Sequence, residues 1–148
     1  MKRIAAGKIG VFLLLAALIF TFAASAEAEL QRFGNIEAYV PEGWTVQATG
    51  AQTTFMSPGN VAALSVLVNT ATGVTAEEVA VAYSEAHYGT TPEEVDEGTF
   101  VFSFQNENGI ESHAVVVLLA DTDSYMVWVT AGAHPQLGEL IESVQLVE

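Results

Sequence analysis

The chain has no cysteine. Disulfides, a thiol nucleophile, cysteine-ligated zinc, iron–sulfur clusters and a thioether-linked lipid anchor are thereby excluded, and stability must come from a packed core. Cations are almost as scarce: four Lys and Arg stand against 18 Asp and Glu, giving a formal charge of −14 over 148 residues. Three of the four, Lys2, Arg3 and Lys8, sit at the very start of the chain. An uncharged run from Ile9 to Ala26 follows, ends in Ala24-Ser25-Ala26, and gives way to Glu27. A positive start, an apolar stretch and a small-residue site predict a secretory signal peptide over residues 1–26, cleaved after Ala26. The apolar stretch is at the lower limit for crossing a bilayer and has no basic flank after it, which argues against a retained anchor.

Residues 27–148 then form one domain of 122 residues, the 148 of the chain less the 26 of the leader, with a formal charge of −17 because Arg32 is its only cation. No lysine remains, so Schiff-base chemistry is excluded from the mature protein. A surface with one arginine cannot neutralise phosphates, which argues against nucleic acid and anionic membrane as partners. Also missing are the G-x-S-x-G and S-x-x-K motifs of serine hydrolases, a glycine-rich phosphate loop and an H-E-x-x-H metal motif. No internal repeat or low-complexity tract is present.

What remains reads as alternating strands and two helices. Ile36 to Val40 alternates apolar and polar residues, as a half-buried strand does, and Pro41-Glu42-Gly43 turns the chain. Trp44 to Gln47, Thr53 to Ser57 and Ala62 to Asn69 are further extended segments, with Pro58-Gly59-Asn60 as a turn. Thr75 and Glu78 form a capping box, flanked by Val74 and Val79 as a hydrophobic staple, and the stripe Ala76, Val79, Ala80, Tyr83 has helical spacing. A helix is therefore predicted over 76–88, ended by Gly89 in a left-handed conformation. Thr91-Pro92-Glu93-Glu94 reads as a helical turn or loop. Thr99 to Gln105 alternates with Phe100, Phe102 and Phe104 on one face, Asn108-Gly109 predicts a tight hairpin turn, and His113 to Ala120 and Tyr125 to Ala131 are apolar on both faces. Leu137, Leu140, Ile141 and Val144 mark a closing helix after Pro135.

The groups able to do chemistry are dispersed. His87 falls near the end of the first helix, His113 at the start of a central strand and His134 before Pro135, and none has a second histidine at ligand spacing. Asp121 and Asp123 share a turn, and Glu93, Glu94, Asp96 and Glu97 crowd one segment; such oxygens suit a divalent cation weakly, but equally a solvated turn. The three phenylalanines read as core, with a hydrophobic-ligand pocket as the alternative. Trp44, just after a turn, is the candidate for a partly exposed binding aromatic. No catalytic, cofactor-binding or metal residue is assigned.

The layout, with Tyr39, Pro41, Gly43 and Trp44 as a y-x-P-x-G-W element, resembles the PsbP/DcrB-like superfamily. That resemblance implies an α/β/α sandwich and a non-catalytic accessory role. The resulting expectation is an α+β domain with a mostly antiparallel sheet of about six strands between two main helices. Its expected role is an exported, periplasmic or secreted, non-enzymatic binding protein of the cell envelope with a protein partner. A carrier of a small hydrophobic ligand or of a cation, and a carboxylate-based hydrolase, are the alternatives.

Overall fold

A computed structural model describes residues 2–3, 29–70, 72–119 and 123–147. The apolar stretch of the leader and its cleavage site after Ala26 lie outside the described residues, as do Asp121 and Thr122. The elements in chain order are β1 (Lys2–Arg3), β2 (Glu29–Phe33), β3 (Ile36–Val40), β4 (Thr45–Thr49), β5 (Gln52–Met56), β6 (Ala62–Thr70), α1 (Ala76–Ala86), β7 (Glu93–Asp96), β8 (Thr99–Gln105), β9 (Glu111–Leu119), β10 (Ser124–Gly132), α2 (Leu137–Ser143) and β11 (Gln145–Leu146).

Seven strands form one antiparallel sheet in the order β4-β5-β6-β10-β9-β8-β7. A second, smaller sheet has the order β1-β11-β3-β2. The expected single six-stranded sheet between two helices is therefore corrected. Ile36 to Val40 is a strand, but it pairs with Glu29–Phe33 and lies over the large sheet instead of joining it. The reason is in its side chains: Ile36, Ala38 and Val40 are buried against Phe55, Leu64, Val66 and Trp128 of the large sheet. Residues 27–31 have the composition of a short polar lead-in, yet Glu29–Phe33 is its pairing partner, with Phe33 edge-on to Phe55 at 5.4 Å between ring centroids.

Each face of the large sheet thus has its own core. The small sheet and α2, with Leu140 and Val144, close the first. The second lies under α1, whose Ala76, Val79 and Ala80 pack on Phe100, Phe102, Ala114, Val116 and Val127. Two alanines on the buried stripe let the helix approach the sheet closely enough for the phenylalanine rings to fill the space between them.

The ends of α1 follow local chemistry. Thr75 Oγ1 accepts from the Glu78 amide at 3.1 Å and Glu78 Oε2 accepts from the Thr75 amide at 2.8 Å, so the capping box is complete. At the other end the Gly89 amide donates to Ser84 O at 2.8 Å and the Tyr88 amide to Glu85 O at 3.3 Å, the two bonds of a Schellman motif. The left-handed residue is Tyr88, at φ 54°, and not Gly89 as the sequence predicts. Gly89 is needed for space: a Cβ there would lie 2.9 Å from Ser103 O.

Residues 93–96, expected as a helical turn, are an edge strand on β8 with a register shift between Glu94 and Asp96. The hairpin between β8 and β9 is wider than Asn108-Gly109 suggests. Asn106 closes it, its Oδ1 accepting the Asn108 and Ile110 amides at 2.9 and 3.0 Å.

Candidate functional site

The three histidines stand apart and each has a local partner. His87 caps α1 and stacks on Phe104 at 4.7 Å between centroids. His134 lies edge-on to Trp44 at 5.2 Å, and its Nδ1 accepts the Gln136 amide at 3.2 Å. Trp44 is buried, donating from Nε1 to Gln136 Oε1 at 3.3 Å, which corrects the expectation of a partly exposed binding aromatic. The segment holding His134 and Gln136 arrives from the far end of the chain, so nothing near Trp44 in sequence signals its burial. His113 is exposed on β9 and shares a hydrogen bond of 2.9 Å between Nδ1 and Ser103 Oγ, its cross-strand neighbour. Among the described residues no carboxylate orients that ring.

The acidic residues satisfy turns. Glu94 Oε1 accepts the Gly98 amide at 3.1 Å and Asp96 Oδ1 the Glu97 amide at 2.8 Å. Asp121 lies outside the described residues, and Asp123 sits in a left-handed turn at φ 47°. Among the described residues no three His, Asp or Glu side chains gather closely enough to hold a metal ion. Phe100 and Phe102 are buried under α1, so the Phe face is filled by helix side chains.

The feature that sequence reasoning missed is the half of the second sheet face that, among the described residues, α1 leaves open. The helix packs on β8 and β9. Beyond it, β10, β6, β5 and β4 continue the same face. Strand alternation brings Tyr125 and Val129, then Ala63, Ser65 and Leu67, then Gln52, Thr54 and Met56, and finally Thr45, Gln47 and Thr49 onto it. The first three strands' residues are half-buried apart from Gln52, and those of β4 are exposed. Thr54 and Ser65 hydroxyls bond each other across the strands at 2.9 Å, and the Gln52 amide reaches Thr54 Oγ1 at 3.5 Å. Tyr83 of α1 and Tyr125 of β10 form the rim. Burial pushes the Tyr83 hydroxyl pKa above its ordinary value, and the neighbouring Tyr125 adds to the shift.

None of β4, β5, β6 or β10 contains a charged residue, although the chain carries a formal −14. The signal was available in the sequence: from Gly43 through Ala76 no side chain is charged, and all 18 acids lie outside that run. A surface of hydroxyl, amide, aliphatic and phenolic groups has no charge to desolvate when covered. That is the composition of the centre of a protein–protein contact, where charged residues are depleted.

No protein-family model matches the chain, and no curated protein is similar to it. Among solved structures, a point mutant of the protein Mog1 has a TM-score of 0.54 at 13% identity, over 82% of this chain and 96% of that one. The Saccharomyces cerevisiae Ran-binding protein Mog1p has a TM-score of 0.52 at 13% identity, over 82% and 97% of the two chains. These likenesses are of fold. They correct the resemblance to the PsbP/DcrB-like superfamily: these two solved structures of similar fold are Mog1 structures. The y-x-P-x-G-W element is a corner in which the Trp44 amide donates to Pro41 O at 3.2 Å, carrying the chain from the small sheet to the large one.

Proposed function

We propose that the protein is an exported, non-enzymatic binding domain of the cell envelope that engages a protein partner through the open face of β4, β5, β6 and β10. The observation that carries this reading is the absence of charge from four adjacent strands of an otherwise strongly acidic protein. Residual acidity around the face draws in a partner whose contact rim is basic, while the uncharged centre makes the close contact. The fold shared with Mog1 structures supports the reading, since the yeast member is described as Ran-binding. Export rests on the leader: Lys2, Arg3 and Lys8, the uncharged stretch to Ala26 and the small-residue site.

The test is site-specific photo-crosslinking in the native envelope, with the photoreactive residue at Gln52 on the face or at Glu97 on the opposite sheet edge. A discrete heteromeric adduct is expected from Gln52 alone, and it should disappear when Ser65→Glu places a charge on the face. Equal yields from both positions, or an adduct that survives Ser65→Glu, would refute the reading. An adduct with the mass of two copies does not count for it. Amine-reactive reagents are unsuitable, because the mature chain has no lysine.

A further inference from the structure

The two edges of the large sheet are built in opposite ways. β7 is four residues long, follows Pro92, carries Glu93, Glu94 and Asp96, and has a register shift. Short length, charge, proline and a bulge are the devices that stop an edge strand from pairing with another chain. β4, Thr45-Val46-Gln47-Ala48-Thr49, has none of them. It runs in unbroken register with β5 from Thr45↔Met56 to Thr49↔Gln52, and all of it but Val46 is exposed. Gly50-Ala51 is a two-residue turn, so Thr49 and Gln52 form the bonded pair that closes the hairpin. By antiparallel alternation the N–H and C=O groups of Val46 and Ala48 then point away from β5. Among the described residues no strand pairs with them.

We propose that β4 pairs with β4 of a second copy of this chain, antiparallel, about a two-fold axis through Gln47. That register matches Val46 with Ala48 of the other copy, the residues whose backbone groups face outward, and gives about four hydrogen bonds. Thr45 meets Thr49, and Gln47 meets Gln47 with side chains able to bond amide to amide. Charge selects the occupant. Two copies of a protein with this excess of acid repel each other wherever carboxylates would meet, and β4, β5 and β6 are a region where none would. The axis keeps equivalent faces on one side, so the two open faces become one uncharged platform with an α1 at each end. The dimer does not depend on the envelope partner proposed above; it doubles the surface that partner would meet.

A seam of five residues is a weak contact, with a dissociation constant on the order of 10–1,000 μM. Sedimentation equilibrium on the protein as cells accumulate it, over that concentration range, should show a monomer–dimer equilibrium that tightens as salt rises, since screening relieves the repulsion between copies. Gln47→Glu and Gln47→Lys each place like charges opposite one another and should weaken the dimer at least about fivefold. An equal mixture of the two variants should recover dimer, because the opposed charges then attract. In wild-type protein the Val46 and Ala48 amides should exchange with deuterium more slowly as concentration rises. A monomer throughout the range, a dimer that neither variant weakens, a mixture that stays monomeric, or amide exchange independent of concentration would each overturn the proposal.

Discussion

Two glycines with nearly the same backbone angle separate the energetic cost of conformation from that of collision. Gly132, the last residue of β10, has φ 70°, and Gly109, in the β8–β9 loop, has φ 73°. A Cβ at Gly109 would have no heavy atom within 4 Å. At Gly132 it would overlap the carbonyl oxygen of Val61, with the carbonyl carbon at 3.0 Å and Ala62 Cα at 3.2 Å. Gly109→Ala therefore carries only the left-handed strain of an L residue, roughly 1–2 kcal/mol, partly offset by the stiffer unfolded chain, for a net loss of about 1 kcal/mol. Gly132→Ala carries that cost and must also move backbone. The backbone it meets is fixed: Ala62 is buried, its amide donates to Ser57 Oγ at 2.9 Å, and its carbonyl accepts from the Ser57 amide at 3.0 Å. Losing two or three such bonds at about 1 kcal/mol each brings the total to about 3–4 kcal/mol. In urea, at a slope of about 1.5 kcal/mol per molar, the midpoint should fall by roughly 2 M for Gly132→Ala and by less than about 1 M for Gly109→Ala. Equal midpoints for the two variants would refute the steric argument and place the turn before β6 among the parts that move freely.

Thr75→Ala should remove the bond that Thr75 Oγ1 accepts from the Glu78 amide, while the backbone amide of residue 75 still donates to Glu78 Oε2, and cost about 1 kcal/mol, seen as a thermal midpoint lower by a few degrees. Tyr88→Gly should do the reverse. The side chain is 97% exposed and its backbone is left-handed, so glycine relieves strain with no packing to lose and should stabilise by about 0.5–1 kcal/mol in urea titrations. Tyr83 sets a pH dependence. Its folded pKa lies above 10.0, so the folded state holds the proton more tightly than the unfolded chain. That contribution is complete below pH 10 and is lost as pH climbs through the folded value. Melting temperatures from pH 8 upward should therefore drop past pH ~10, and Tyr83→Phe should flatten the drop.

Local signals were read well from the sequence where local chemistry decides the outcome. The capping box at Thr75 and Glu78, the alternation of Thr99 to Gln105 and the Pro58-Gly59-Asn60 turn all have the structure their residues predict. Where a distant partner decides, the sequence misleads. Pro92 followed by two glutamates has the composition of a helix start, yet the segment becomes β7 because β8 offers a ladder alongside it. Residues 27–31 look like a polar lead-in until Ile36–Val40 turns back on Glu29–Phe33. Tyr88 takes the left-handed position next to a glycine because that glycine must let Ser103 approach. The open face itself was visible only as an unbroken absence of charge, and its meaning required knowing that β10, from the other end of the chain, lies beside β6.

That adjacency bears on how the chain acquires its structure. β4, β5 and β6 form one local meander, and β7 to β10 another, each joined by turns a few residues long. The register from Ala62↔Gly132 to Thr70↔Ser124 is the seam that makes them one sheet, and it closes over α1 and the whole second meander. Loop closure on that scale delays pairing until both halves exist, so folding should wait on this seam while each meander forms early. A chain made from its N-terminus delivers the first meander well before its mate. During that interval β6 is a second exposed edge, apolar and uncharged, open to pairing with another chain until β10 arrives.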